Sequence, residues 1–226
     1  MRSVLTLPCL LLAALLPAQA SAATDSQAWT SLAATVKLSD HWRLSEEVTG
    51  RFSDHRDGLY ELEINTLLGY RINKVVTVWA GYTHDPQYLS GDFTVMEHRA
   101  REQVTFDKFA TLGPGTLSAR VRSEQRWRSN ADGTAWRLRP FVRYSLPLIK
   151  AGHIGLTFTS EPFFNLNTTT FQAKPGLDRI RNLVAITTPI GKRLSGEFGY
   201  MNQHIFLDGK PDESDNIAWV SVSAAF

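Results

Sequence analysis

The stretch "ARVRSEQRWR", residues 119–128, carries a charged side chain at every second position. Alternate side chains of a β-strand point to the same face. That shared face would carry Arg120, Arg122, Glu124, Arg126 and Arg128. Guanidinium groups form bidentate pairs with carboxylates and also recognise oxyanions. The stretch therefore predicts one wall of a charged interior, which is either neutralised by ion pairs or able to attract anions.

The same two-residue periodicity recurs along the chain and predicts a strongly charged face on most of the other strands. The arginines assigned to this lumen-lining face are Arg43, Arg51, Arg71, Arg99, Arg101, Arg120, Arg122, Arg126, Arg128, Arg137, Arg139, Arg143, Arg179 and Arg181. The glutamates assigned to it are Glu47, Glu61, Glu63, Glu97, Glu124, Glu161 and Glu197. Two interpretations stay open. Ion pairs would close the interior, or the excess of arginine would leave a narrow, porin-like pore that prefers small anionic solutes.

A third interpretation is an outer-membrane hydrolase or lipid-modifying enzyme with a site at the rim of the barrel. Asp54-His55 and His84-Asp85 follow two of the predicted strands, and such groups can act as general bases. Polar residues are also common at strand ends for conformational reasons alone. The chain has no G-x-S-x-G or H-E-x-x-H motif. The sequence therefore assigns no catalytic residue, no metal and no cofactor.

Overall charge excludes one further class of partner. The chain has 24 Lys and Arg against 22 Asp and Glu, so it is not a strongly basic protein. With its arginines facing a closed interior, we expect no binding to nucleic acid. The acidic stretch "DGKPDESD", residues 208–215, lacks the ligand spacing of an EF-hand and predicts a solvated loop.

Alternation of apolar and polar residues predicts an all-β fold throughout residues 23–226. The predicted strands are 29–38, 42–53, 60–72, 75–84, 95–106, 116–128, 136–146, 154–164, 179–189, 194–205 and 216–226. Most are longer than the five or six residues typical of soluble proteins, and their apolar faces oppose the charged ones. This pattern indicates an antiparallel transmembrane β-barrel of about 10–12 strands, and single-chain bacterial barrels normally have an even number.

Connection lengths support the same interpretation. Short links at 39–41, 73–74 and 190–193 alternate with longer predicted loops, as in barrels with short periplasmic turns and longer outer loops. The predicted longer loops are residues 54–59, 85–94, 129–135, 165–178 and 206–215, and the link at 107–115 is also somewhat long.

The N-terminal residues 1–22 predict a cleaved secretory signal peptide. A positive start precedes an apolar run, and Ala20-Ser21-Ala22 matches an A-x-A cleavage site. Cys9 falls inside this segment, so we expect the mature chain to contain no disulfide. Phe226 ends an alternating apolar strand, which resembles the signal read by the bacterial barrel-assembly machinery. We therefore expect a location in the bacterial outer membrane, with its lipids, lipopolysaccharide and that machinery as partners.

Several strings carry a family resemblance over nearly the whole mature chain. "EHRAREQVTF" (97–106), "ARVRSEQRWR" (119–128), "LRPFVRYSLPL" (138–148) and "EFGYMNQH" (197–204) resemble the family termed domain of unknown function 2490. The resemblance implies an outer-membrane barrel of a Gram-negative bacterium. It implies no established activity and transfers no catalytic residue.

Overall fold

The computed structural model describes residues 23–149 and 154–226, which form a closed barrel of eleven strands. The strands are β1 Ala23–Lys37, β2 Trp42–Ser53, β3 Gly58–Arg71, β4 Val76–Leu89, β5 Asp92–Leu112, β6 Gly115–Arg128, β7 Ala131–Ile149, β8 Ile154–Asn165, β9 Gly176–Pro189, β10 Leu194–Ile205 and β11 Glu213–Ala225. The all-β barrel and the predicted strand number are confirmed. The predicted signal peptide lies outside the described residues, in which no helix is long and apolar enough to span a membrane.

The barrel closes through a parallel pair, because an odd number of alternating strands leaves its first and last strands running in the same direction. β1 and β11 pair in parallel, with Thr30 beside Val220, whereas all other neighbours are antiparallel. The predicted antiparallel pairing is therefore confirmed for all other neighbours and is wrong at this seam, and the strand number is odd, unlike the even number that is usual for single-chain bacterial barrels. As a result, Ala23 at the start of β1 and Phe226 lie at opposite rims of the barrel. Ala23 pairs with Ser214 at one rim. At the other rim, the Phe226 N–H donates to Thr35 O at 2.9 Å.

The two rims differ in their connections. We call the rim with residues 54–57, 90–91, 129–130, 166–175 and 206–212 the loop rim, and the rim with residues 38–41, 72–75, 113–114 and 190–193 the turn rim. The prediction of long loops at 85–94 and 129–135 is wrong. Most residues of both segments belong to strands, and turns of only two residues connect these strands. At the first, Leu89 pairs with Asp92, and Ser90 and Gly91 both have positive φ, which is the conformation of a tight type I′ hairpin turn.

Burial divides every strand into two faces. On the outer face, Leu32 is 65% exposed and Phe198 is 64% exposed, whereas on the inner face Arg101 is 2% exposed and Glu124 is fully buried. The distribution is the inverse of a water-soluble barrel, which hides its apolar side chains. Charged groups therefore fill the interior of this barrel, and apolar groups cover its outside.

The interior contains two chemically different regions. The apolar cluster consists of Trp29, Leu183, Ala185, Met201 and Ile217, with Trp219 packed against it. It lies on β1, β9, β10 and β11, on either side of the parallel seam. The rest of the inner wall, chiefly β2 to β8, supplies buried arginines and carboxylates.

Candidate functional site

Eleven of the fourteen inward-assigned arginines form ion pairs in the described part of the chain. We call this set the arginine network. Its arginines are Arg51, Arg99, Arg101, Arg120, Arg122, Arg126, Arg128, Arg137, Arg139, Arg143 and Arg179. Its eight carboxylates belong to Glu61, Glu63, Asp85, Glu97, Glu124, Glu161, Asp178 and Glu197. The network connects non-adjacent strands, so it crosses the interior as well as following the wall.

Glu97 is one centre of the network. Its fully buried carboxylate accepts hydrogen bonds from Arg99 Nε at 2.6 Å, Arg126 Nε at 2.8 Å and Arg128 Nε at 2.6 Å. The cross-strand register of β5 and β6 places Glu97 opposite Arg128 and Arg99 opposite Arg126. Because charge-assisted hydrogen bonds are the strong ones, one carboxylate here holds three guanidinium groups.

Glu124 and Glu161 form a second centre. Glu124 accepts from Arg137 Nη2 at 2.5 Å and from Arg139 Nη1 at 2.6 Å. Arg139 Nη2 also donates to Glu161 at 3.0 Å, and Arg120 Nη2 donates to the same carboxylate at 2.5 Å. Arg139 therefore bridges two carboxylates from β6 and β8, which ties these strands together through the interior.

Glu61, Glu63 and Asp85 form a carboxylate group in which ligand oxygens lie within 4.8 Å of one another, a spacing that can hold a metal ion. Arg51 donates to both glutamates, and Arg99 contacts Asp85 and lies 3.0 Å from Glu63. Guanidinium groups thus already supply the positive charge that a metal would bring. The group belongs to the ion-pair network.

Arg43, Arg71 and Arg181 form no ion pair within the described residues. Arg43 and Arg71 lie towards the turn rim and donate to backbone carbonyls, including Ser39 O at 3.3 Å and Asn73 O at 3.0 Å. Arg181 donates to the Gln203 side chain at 2.7 Å. Among the inward arginines that lie away from the rims, Arg181 is therefore the one without a direct carboxylate partner.

Aromatic rings support the guanidinium groups where the two interior regions meet. Arg139 and Arg181 lie 4.2 Å and 4.6 Å from the centroid of the buried Phe163 ring. Arg51 and Arg181 lie 4.4 Å and 4.5 Å from the Trp29 ring. Guanidinium groups are attracted to the faces of aromatic rings, more strongly where water is excluded. These rings therefore provide positions for arginines that carboxylates do not fully satisfy.

The loop at residues 166–175 covers the network at the loop rim. Gln172 is buried, accepts from Arg126 Nη1 at 3.3 Å and donates to Trp136 O at 2.9 Å. The Phe171 ring lies 4.9 Å from the Arg128 guanidinium. The loop thus folds back over part of the barrel mouth, beside Arg126 and Arg128, and the Arg128 side chain remains 24% exposed.

A small cavity of about 90 Å³ remains inside the network, with a lining that is strongly positive. Within the described residues, the carboxylates that line it are those of Glu61 and Glu63. Its arginines are Arg51, Arg99, Arg126, Arg128, Arg137, Arg139, Arg179 and Arg181. The volume admits one small ion or a few water molecules.

The residues proposed as rim bases do not form a shared site. His84 and Asp85 are neighbours on β4 and point to opposite faces. Asp85 is fully buried against Arg99, whereas the His84 ring lies 5.8 Å from His98 on the outer face. Asp54 and His55 lie in the loop-rim turn at residues 54–57. The placement of Asp85 in a loop is therefore wrong, and His84 and Asp85 cannot act together on one substrate.

The acidic loop is partly tied to its neighbours. Asp208 pairs with Lys174 at 2.5 Å, which joins the loops at residues 206–212 and 166–175. Asp212 lies 3.2 Å from His204 Nε2 and accepts from the Leu207 N–H at 3.1 Å. These contacts make the acidic stretch part of the loop-rim structure.

Glu47 and Glu197, assigned to the interior from the sequence, lie outside the two centres. Glu47 accepts from Ser31 Oγ at 3.1 Å. Glu197 pairs with Arg143 and accepts from Trp219 Nε1 at 3.0 Å, so it connects the network to the apolar cluster. Phe226 lies at the turn rim, and the Arg193 guanidinium lies 5.5 Å from the centroid of the Phe226 ring.

Sequence reasoning missed several interior residues. Asp85 was hidden by the wrong loop assignment, and extending the parity of β4 past residue 84 would have placed it inside. Asp178 and Gln172 had no periodic signal, since one lies beside a strand irregularity and the other in a loop. Trp29 and Phe163 share the inward parity of their strands, but the inward set predicted from the sequence contains only arginines and glutamates.

Comparisons with known proteins identify a family for this chain. The sequence model of the family described as Protein of unknown function (DUF2490) matches residues 26–214. A protein of Methylorubrum extorquens AM1, described as uncharacterized, is 27% identical over 201 residues, covering 88% of this chain and 87% of its own length. No solved structure matches. The family resemblance drawn from the sequence is confirmed, and the chain belongs to the DUF2490 family.

Proposed function

We propose that this chain is an outer-membrane β-barrel whose interior is closed by the arginine network, so that it acts as a sealed membrane protein and not as a permanently open pore. The observation that carries the proposal is the inversion of burial between the two faces. Exposed apolar side chains cover the outside, and ion-paired charges fill the inside. Lipid favours this arrangement, because apolar groups face the acyl chains while polar groups stay in the lumen.

Strand length and aromatic placement support a bilayer environment. The strands run from 12 to 21 residues, and a tilted strand needs about 9–11 residues to cross the hydrocarbon core. On the outer face, Trp42 and Tyr70 contact each other near the turn rim, and Trp127 and Trp136 lie near the loop rim. Aromatic girdles of this kind mark the two membrane interfaces of bacterial barrels. The outward apolar strands would contact lipids and lipopolysaccharide, and Phe226 would serve the assembly machinery.

The filling of the interior supports a closed state. Guanidinium groups bridge carboxylates on different strands, and the loop at residues 166–175 covers part of the mouth. The cavity left between them is about 90 Å³. Several charge-assisted hydrogen bonds, which are the strong ones, hold the Glu97 and Glu124 carboxylates, and this supports an interior that stays closed.

The six tryptophans allow a direct test of the membrane orientation. Trp42, Trp127 and Trp136 lie on the outer face, whereas Trp29, Trp79 and Trp219 lie inside. Single-tryptophan variants with the other five replaced by Phe are refolded into vesicles of brominated phospholipid. We expect bromine to quench the Trp136-only variant strongly and the matched Trp29-only variant weakly.

Two results would contradict this orientation. One is equal quenching of the Trp136-only and Trp29-only variants. The other is a chain without residues 1–22 that folds as a monomer in buffer without detergent or lipid, as a soluble barrel would.

A second candidate function is a gated anion pathway, favoured by the eight arginines that line the cavity. Arginine-lined constrictions select anions, and the loop at residues 166–175 would act as the gate. Replacing residues 168–173 by a short Gly-Ser linker should then produce anion-selective conductance in planar bilayers. The same variant without conductance would leave the sealed barrel as the better description.

A further inference from the structure

The interior cavity lies where the arginine network meets the apolar cluster. Arg51 and Arg181 line it, and both guanidinium groups lie within 4.5 Å of the same Trp29 ring. Arg139 and Arg181 share the Phe163 ring in the same way. Like charges are thus gathered around one small volume, which is unfavourable unless a negative charge lies between them.

Formal charge in the network does not balance. Eleven arginines face eight carboxylates. Adding Arg181 together with Asp215, which Gln203 connects at 2.7 Å and 2.8 Å, gives twelve against nine. Counting also the carboxylates of Asp25 and Glu47, which accept from the buried Ser53 and Ser31, gives twelve arginines against eleven carboxylates, so the arginines stay in excess by one. Arginine does not deprotonate in proteins, and an uncompensated buried charge is strongly destabilising.

One arginine of the cavity lining has no carboxylate partner among the described residues. Arg181 has an amide oxygen and two aromatic faces as its contacts, and none of these supplies a negative charge. Arg181 therefore keeps donor capacity for a ligand in the cavity, and Arg51, which lies at the same Trp29 ring, adds positive charge beside it.

We infer that the cavity binds one small inorganic oxyanion of the size and charge of phosphate, held by Arg51 and Arg181. Guanidinium forks match the oxygen geometry of oxyanions and can bind them bidentately. A volume of about 90 Å³ suits an ion of this size, and the buried lining residues belong to the inner face of the barrel and not to its apolar outer face. Free phosphate is therefore the expected source, and a lipid phosphate should not enter. The inference deepens the sealed-barrel proposal, because it names what the closed interior holds.

The test is calorimetric titration of inorganic phosphate into the detergent-folded full chain at low ionic strength. We expect saturable binding with one phosphate per chain, reduced at least tenfold by Arg181→Gln. The matched control is Arg43→Gln, which removes an inward arginine near the turn rim and should leave the affinity unchanged. Short-chain phosphatidic acid, the lipid-phosphate arm, should not compete.

A second measurement covers the chance that Arg181→Gln folds poorly. Phosphate should raise the thermal unfolding midpoint of the unmodified protein progressively with concentration, since a ligand stabilises the state that binds it. Chloride at equal ionic strength should raise it less. Absence of saturable phosphate binding, equal affinity in Arg181→Gln, or competition by phosphatidic acid would overturn the inference. These outcomes leave the tryptophan quenching test untouched, so the two proposals fail separately.

Discussion

The two interior regions of this barrel are stabilised by different physics. The apolar cluster joins β1 to β9, β10 and β11 on both sides of the parallel seam, with Ile217 fully buried. The arginine network occupies the remaining wall, where one carboxylate often serves several guanidinium groups. Apolar packing adds up in small increments from many contacts, whereas an ion-pair network depends on every member being satisfied.

This difference predicts unequal sensitivity to single substitutions. Removing a methyl group from the apolar cluster leaves a cavity whose cost scales with its size. Removing a central carboxylate leaves several charges buried without partners, and that cost is larger. The seam region should therefore tolerate mutation better than the centre of the network.

The largest effect is expected for Glu124→Gln. The substitution keeps the shape and removes the charge that holds Arg137 and Arg139. Breaking a buried ion pair typically lowers the free energy of unfolding by about 3–5 kcal/mol, and we expect a decrease in that range. Urea unfolding of vesicle-inserted protein measures it. The matched control is Glu47→Gln, whose carboxylate accepts from Ser31 and whose loss should be small. Equal decreases in unfolding free energy for Glu124→Gln and Glu47→Gln would show that the centre of the network contributes no more to stability than a carboxylate outside it.

A somewhat smaller effect is expected in the apolar cluster. Ile217→Ala removes a fully buried side chain at the seam, and such truncations cost about 2–5 kcal/mol. We expect the lower half of that range, because the barrel interior beside it can partly relax. Ser221→Ala, on the same face of β11, is the control for the same unfolding assay. A loss greater than that of Glu124→Gln would reverse the comparison.

Adjacent residues of β4 test the two faces of the wall. Asp85→Asn removes a buried charge from Arg99, and leaving a buried group unsatisfied costs about 1–3 kcal/mol. His84→Ala on the outer face should stay within about 0.5 kcal/mol. Unfolding midpoints of the two variants measure the difference. A larger loss for His84→Ala would mean that the faces are assigned the wrong way round.

The smallest global effect is expected at the loop rim. Gln172→Ala removes the hydrogen bonds to Arg126 and to the Trp136 carbonyl. The barrel wall keeps its own pairing, so we expect the loop alone to loosen, with faster cleavage by external protease within residues 166–175. Thr170→Ala, at an exposed position of the same loop, is the matched control. Unchanged cleavage in Gln172→Ala would show that the loop is held elsewhere.

Much of the fold could be predicted because alternation is a strong signal in long strands. Parity gave the all-β barrel, the strand number and the stretch from Arg120 to Arg128 as one inward face. Parity does not predict the β4–β5 hairpin correctly. Asp85 and Gln87 face inward on β4, but the sequence analysis assigns them to a loop, and the turn lies at Ser90-Gly91. Parity also gave no information on closure, because the parallel pairing of β1 with β11 depends on the strand count of the whole barrel.

The interior chemistry was only partly predictable. Parity identifies which charges face inward, but it does not show which of them meet across the lumen. Arg143 and Glu197 lie on non-adjacent strands, and their pairing depends on the diameter and tilt of the closed barrel. Asp178 and Gln172 come from an irregular strand start and a loop. The predicted inward set of fourteen arginines and seven glutamates therefore overstates the number of arginines without a carboxylate partner, since Asp85 and Asp178 contribute further partners.

The central claim is that ion pairs seal a lipid-embedded barrel, and single-channel recording in planar bilayers tests it most directly. The unmodified protein, shown to be inserted by protease protection, should give no steady conductance at moderate voltage. Persistent ohmic channels from the unmodified protein would contradict the claim, because a continuous water path cannot coexist with an interior closed by Glu97, Glu124 and their arginines.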